Sequence, residues 1–77
     1  MKKMNILSYM NEYYKIKIDK KYWNSKSGCC INNKDAATKF CTLSDVVFAV
    51  RDLRNNIYSN SEIKIIKITE SEVIIDF

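Results

Sequence analysis

The chain has one glycine, Gly28, and no proline in 77 residues. These two residue types punctuate most chains, because Gly tolerates φ > 0 and Pro cannot continue a helix or a central strand. The lone glycine ends the polar stretch Ser25-Lys26-Ser27-Gly28, with Tyr22 and Trp23 before it and Cys29, Cys30 and Ile31 after it. A hairpin is expected there. No internal repeat, low-complexity tract or Pro/Gly/Ser-rich linker appears, so residues 1–77 read as one domain.

Periodicity supplies the other elements. Residues 4–12 read as a short helix, with Ile6, Leu7 and Met10 at helical spacing and Tyr9 and Tyr13 at its edge. Residues 13–19 alternate: Tyr14, Ile16 and Ile18 point one way, Tyr13, Lys15 and Lys17 the other, as in a half-buried strand. Asp35 is expected to cap a short helical turn through Ala36, Ala37 and Phe40. Thr42 or Ser44 then caps the main helix, spanning about residues 44–58, with Val46, Ala49, Val50, Leu53 and Ile57 as its apolar stripe. Asn55, Asn56 and Asn60 favour its termination. The C-terminal region reads as two strands, residues 62–68 and 72–77, joined across Thr69-Glu70-Ser71. Val73, Ile75 and Phe77 share a face. In the first of these strands the parity of Ile63 and Ile65 differs from that of Ile66 and Ile68, which a bulge or two-sided burial would explain. The expected fold is a small single-domain α+β fold. A mostly antiparallel sheet of about four to five short strands packs on the main helix, and a short N-terminal helix accompanies it.

Composition excludes more chemistry than it suggests. Apolar residues make up 47% and charged residues 29%, enough to build a core rather than a disordered chain. No apolar run approaches the roughly 18 residues needed to span a bilayer. The basic N-terminus is interrupted by Ser8, Asn11 and Glu12 before a signal-peptide core could form. A membrane partner is not expected, and a cytoplasmic location is. Three cysteines, Cys29, Cys30 and Cys41, are an odd number, and neighbours on a strand face opposite ways. Small buried thiols in a reducing compartment are expected.

The absence of histidine removes Cys-His and Ser-His nucleophile pairs and most general-base roles. Three thiolates fall short of the four ligands of a structural zinc site, and one glycine cannot form a phosphate-cradling loop. Glu70 and Glu72 have no visible catalytic partner. No catalytic residue, metal or cofactor is expected.

Two surfaces remain as candidates for function. The first is basic and aromatic: Tyr13, Lys15, Lys17, Lys20, Lys21, Tyr22, Trp23 and Lys26. Lysines neutralise phosphates and aromatic rings stack on unpaired bases. Charge supports it: residues 1–39 carry nine lysines against Glu12, Asp19 and Asp35, a net of +6, and residues 40–77 carry a net of −2. The second lies on the main helix. Steps of about 100° per residue put Phe48 opposite the apolar stripe, among Arg51, Asp52 and Asn55. Val47, Arg54 and Tyr58 form an adjacent flank. An aromatic flanked by Arg on a polar helix face has the composition of an interface hot spot.

Lys, Ile, Asn, Tyr and Phe dominate the chain, and lysines outnumber arginines eleven to two. That usage points to an AT-rich genome such as that of a low-GC bacterium or a virus. In size and composition the chain resembles the small inhibitors and adaptors carried by phages and other mobile elements, anti-CRISPR and other anti-defence proteins among them. The expectation is a non-catalytic protein-binding factor that occludes a surface of a host enzyme or protein complex in the host cytoplasm. The acids Glu62, Glu70, Glu72 and Asp76 offer a phosphate-mimicking alternative contact. The competing expectation is a small nucleic-acid-binding module using the basic-aromatic stretch. A homodimer through the Phe48 surface is the third.

Overall fold

The computed structural model describes residues 5–76, with side chains described for residues 11–71. In chain order the elements are β1 (Asn5–Ile18), β2 (Lys21–Asn24), β3 (Cys29–Ile31), a 3-10 turn (Lys34–Ala36), α1 (Leu43–Asn55) and β4 (Ile63–Asp76). The strands form one antiparallel sheet in the order β3-β2-β1-β4. The fold is α+β, as expected, with one main helix on the sheet.

Two elements differ from the sequence reading. Residues 5–12 belong to β1 and are not helical; Met4 lies outside the described residues. The two expected C-terminal strands are one continuous strand, and Thr69-Glu70-Ser71 is not a turn. Phe77 lies outside the described residues. One cause accounts for both differences: β1 and β4 pair without interruption from Asn5 opposite Asp76 to Ile18 opposite Ile63. The polar waist of one strand meets that of the other, Asn11 opposite Glu70 and Glu12 opposite Thr69. Ladder hydrogen bonds therefore carry the backbone through a stretch that looks like a turn when read alone.

Strand parity then sorts the side chains. Tyr14, Ile16 and Ile18 share the face under α1, where Ile16 and Ile18 are buried with Val46 and Leu53. Trp23, Cys30, Phe40, Ala49, Val50, Tyr58 and Ile63 pack around that cluster. Ile66 and Ile68 are half-buried on the opposite face, in register with Lys15 and Tyr13. The register has no bulge there, so two-sided burial explains the parity change of β4.

The connections follow local chemistry. Asp19 adopts φ 54, a left-handed conformation that Asp tolerates. It ties the end of β1 to the start of β4: its N–H donates to Glu62 O (2.9 Å), and its Oδ1 accepts from Glu62 N (3.0 Å). Gly28, at φ 66, closes the β2–β3 hairpin by donating to Asn24 O at 3.0 Å. The 3-10 turn is capped by Asn33, whose Oδ1 accepts from Asp35 N at 3.0 Å, and not by Asp35 itself. Phe40 exchanges two 2.8 Å backbone hydrogen bonds with Tyr14, so the chain returns to the free edge of β1 before α1 begins. Thr42 is the N-cap of α1, accepting from Asp45 N at 3.2 Å. The helix stops at Asn55, earlier than its periodicity suggests. Asn56 folds its side chain back onto Asp52 O at 2.6 Å.

Only part of the ladder is braced by α1, and the remainder runs on as a two-stranded ribbon. The molecule measures 63 × 24 × 19 Å, with a radius of gyration of 17.0 Å. A compact chain of this length would have a radius of about 11–12 Å.

Ile16 has no exposed surface, whereas Ile57, expected in the core stripe, is 83% exposed beyond the end of α1. Ile16→Ala should therefore lower the unfolding free energy by about 2–5 kcal/mol, a large share of what a small domain holds. Ile57→Ala should change it by less than about 0.5 kcal/mol. Urea-unfolding midpoints for both variants check this; comparable losses would put Ile57 in the core.

Candidate binding surface

The outer face of α1 is built by the burial of its inner one. Val46 and Leu53 are buried, and Ala49 and Val50 pack beside them. This turns Phe48, Arg51, Asp52 and Asn55 outward, and all four are exposed. Phe48 is 76% exposed, a large apolar ring held in solvent on a helix fixed by its other side. Of the expected flank, Arg54 is exposed and Val47 is half-buried. Tyr58 turns inward and packs edge-to-face on Trp23, with ring centroids 6.1 Å apart.

Two further large apolar residues near the ends of α1 are exposed. Leu43, at the start of α1, is 54% exposed, and Ile57 is the most exposed large hydrophobic among the described residues. Ile57 borders a shallow cleft of about 270 Å³ with Trp23, Asp52, Leu53, Asn56 and Tyr58. Asp52 lies one helical turn beyond Phe48 and also lines this cleft, so the Phe48 face and the Ile57 cleft are contiguous. The signal for Ile57 was present in the sequence: Asn55 and Asn56 end the helix before it, which removes it from the stripe.

The basic-aromatic stretch is divided between the two faces of the sheet. Tyr13, Lys15 and Lys17 do share a face, with Tyr22 opposite Lys17. Lys15, however, is only 2% exposed; its ammonium donates to Lys34 O at 2.6 Å and Asp35 O at 3.4 Å. Burial of that charge is tolerated because carbonyl oxygens replace water around it. Tyr13 has the Lys39 ammonium 4.7 Å and the Lys15 ammonium 5.9 Å from its ring centroid. Its hydroxyl donates to Glu70 Oε1 at 2.5 Å. Trp23 is on the other face, half-buried against the core. Lys20, Lys21 and Lys26 are exposed. Lys20 and Lys21 line an open cleft of about 540 Å³ with Ile18, Asp19, Cys30 and Tyr58. The structure therefore brings Tyr13, Lys17 and Tyr22 together but not Trp23, and it removes the Lys15 charge from the surface.

Among the proposed phosphate mimics, Glu62 pairs with Lys64 at 2.9 Å and Glu70 accepts from Tyr13. The side chains of Glu72 and Asp76 lie outside the described ones. The cysteines are free; Cys29 and Cys41 are exposed and Cys30 is half-buried, so the expected burial holds in part for Cys30 alone. Cys29 is opposite Asn24 and Cys30 opposite Trp23, on opposite faces of the sheet as their adjacency requires. Among the described residues no three His, Cys, Asp or Glu side chains gather as metal ligands would, and no helix is long and apolar enough to cross a membrane. No family model, curated protein or solved structure matches the chain.

Three groups are held above their ordinary ranges; Lys64 is raised by its hydrogen bond to Glu62 and by that carboxylate's charge. The hydrogen bond to Glu70 raises the Tyr13 phenol, with desolvation and the negative charges of Glu70 and Asp35 adding to it. Tyr58 is raised by its hydrogen bond with the Cys30 side chain, then by burial. A raised phenol means the folded chain holds that proton more tightly than the unfolded one. Its contribution to stability is full below the ordinary tyrosine range and is lost as pH rises through the raised folded value. In a phenolate absorbance titration, Tyr13→Phe should remove a late-ionising group, and Glu70→Gln should bring that group back toward the ordinary range. An unchanged curve in Glu70→Gln would show that the bond to Glu70 is not made in solution.

Lys15→Met keeps the buried stem and removes the ammonium that binds the 3-10 turn. The expected cost is about 1–3 kcal/mol in urea unfolding. A neutral outcome would mean the Lys34 carbonyl finds water in its place.

Proposed function

We propose that the chain is a non-catalytic protein-binding factor whose contact surface is the outer face of α1 and its continuation to Ile57. The observation that carries this reading is the 76% exposure of Phe48 on a helix anchored by Val46 and Leu53. A rigid aromatic already in its bound orientation loses little conformational entropy on association, and Arg51 beside it can pair with a carboxylate at the rim. Large apolar residues exposed on and just past α1, Phe48 and Ile57, favour a protein partner over a polyanion. In this reading the factor acts by steric occlusion of a surface on a host enzyme or complex. This is the mode of small inhibitors carried by phages and other mobile elements, and its setting is the host cytoplasm. Burial of the Lys15 ammonium and the inward packing of Trp23 weaken the competing nucleic-acid reading.

The test is affinity capture from host lysate, with and without nuclease, using wild type and Phe48→Ala/Arg51→Ala. A nuclease-resistant protein should be retained by wild type through moderate salt. The double variant should bind it at least about 30-fold more weakly, the loss expected when a hot spot is truncated. Recovery of nucleic acid, released by moderate salt and indifferent to the helix variant, would overturn the reading, because counterion release makes such binding salt-sensitive.

A further inference from the structure

The outer edge of β4 is 14 residues long, without bulge or proline, and among the described residues no strand pairs with it. Proteins ordinarily shorten, twist, cover or charge such an edge, because its open N–H and C=O groups recruit another strand. Charge is present here, but it is divided by halves. Lys64 and Lys67 lie in the first half, and Glu70, Glu72 and Asp76 in the second. A parallel copy of the strand would set like charge on like. An antiparallel copy sets the basic half against the acidic half.

Two-fold symmetry narrows the register. With the axis normal to the sheet, facing residues have the same parity, and one residue of β4 faces itself. Centring on Lys67 or Glu70 opposes a charge to its own copy. Centring on Thr69 leaves Lys64 opposite Ile74. Centring on Ile68 sets Lys64 opposite Glu72 twice and Ile63 opposite Val73 twice, with no like-charge pair.

The ribbon points to the same contact independently. Among the described residues, 5–12 and 69–76 form a ladder of two strands, with apolar register pairs Ile6–Ile75 and Leu7–Ile74. A two-stranded ribbon is marginal in water, and three or more strands are needed for independent stability. Centred on Ile68, residues 69–73 of one copy lie beside residues 63–67 of the other, the part of the sheet that α1 braces.

We propose that two copies of this chain associate through the β4 edges, antiparallel about Ile68, to form one continuous sheet. This contact does not use the Phe48 face and stands apart from the function proposed above.

Sedimentation velocity over a concentration series, with a charge-swap cycle, tests it. Wild type is expected to dimerise. Lys64→Glu and Glu72→Lys should each raise the dimer dissociation constant by about tenfold or more, since each inverts two cross-strand pairs. Lys64→Glu/Glu72→Lys should restore it to near wild type. Unfolding does not imitate this pattern: within the monomer Lys64→Glu relieves the like-charge pair with Lys17 and loses only an exposed ion pair with Glu62, and exposed pairs contribute little to stability. Wild type that stays monomeric throughout, single variants that dimerise like wild type, or a double variant that fails to recover would each overturn the proposal. A dimer lost on Phe48→Asp and kept on Lys64→Glu would move the contact to α1 and overturn it equally.

Discussion

Every other element is placed by the ladder between β1 and β4, fourteen consecutive residue pairs with no bulge. The paired residues are 45 to 71 positions apart in the chain. The ladder closes only after the hairpin, the 3-10 turn and α1 have been made or bypassed, and such long-range pairing is slow to form. Its register decides both faces at once. A slip of one residue would move Ile16 and Ile18 out from under α1 and bring Lys15 and Lys17 in. Two diagonal contacts mark the correct alignment at the polar waist: Glu12 with Lys67 at 3.5 Å, and Tyr13 with Glu70. Exposed pairs of this kind add little stability. Their use is to favour one register over its neighbours.

The same long-range pairing explains which parts of the fold were legible in the sequence. Elements fixed by local chemistry were readable: the Gly28 hairpin, the alternation of Tyr14, Ile16 and Ile18, and the Thr42 cap with Val46, Ala49, Val50 and Leu53 behind it. Residues 5–12 were not. Ile6, Leu7 and Met10 fit a helix and a strand about equally, because periodicity cannot decide a short apolar run. Residues 69–76 on the far side of the sheet decide it. Thr69-Glu70-Ser71 failed for the matching reason. The stretch is polar where it faces Asn11 and Glu12, which are exposed, and nothing within β4 shows where those partners are.

The candidate surface was legible where it depended on helix geometry alone. Phe48, Arg51, Asp52 and Asn55 project outward because the buried stripe lies on the other side of the same cylinder. Ile57 was misplaced by extending that cylinder past residues that end it. The basic-aromatic stretch shows the opposite limit. Parity correctly grouped Tyr13 with Lys15 and Lys17, but it could not show the 3-10 turn settling over Lys15. A lysine on a strand face reads as solvated until some other segment brings carbonyl groups to it. Here residues 34 and 35 do so, and the most basic part of the sequence presents less charge than its composition implies.

The α1 face and the β4 edge occupy different elements, which bears on how the molecule would act. In an antiparallel arrangement about an axis normal to the sheet, corresponding faces of the two copies stay on the same side. Both α1 helices would then lie above one continuous sheet with both Phe48 rings directed away from it. A target with two matching sites, or two targets held together, would be engaged at a high effective concentration for the second contact, without any new interaction. Two patches on one sheet would present twice the exposed aromatic contact of one. In that arrangement the length of the ladder would supply the β4 edge on which the second copy registers, while α1 braces only part of it.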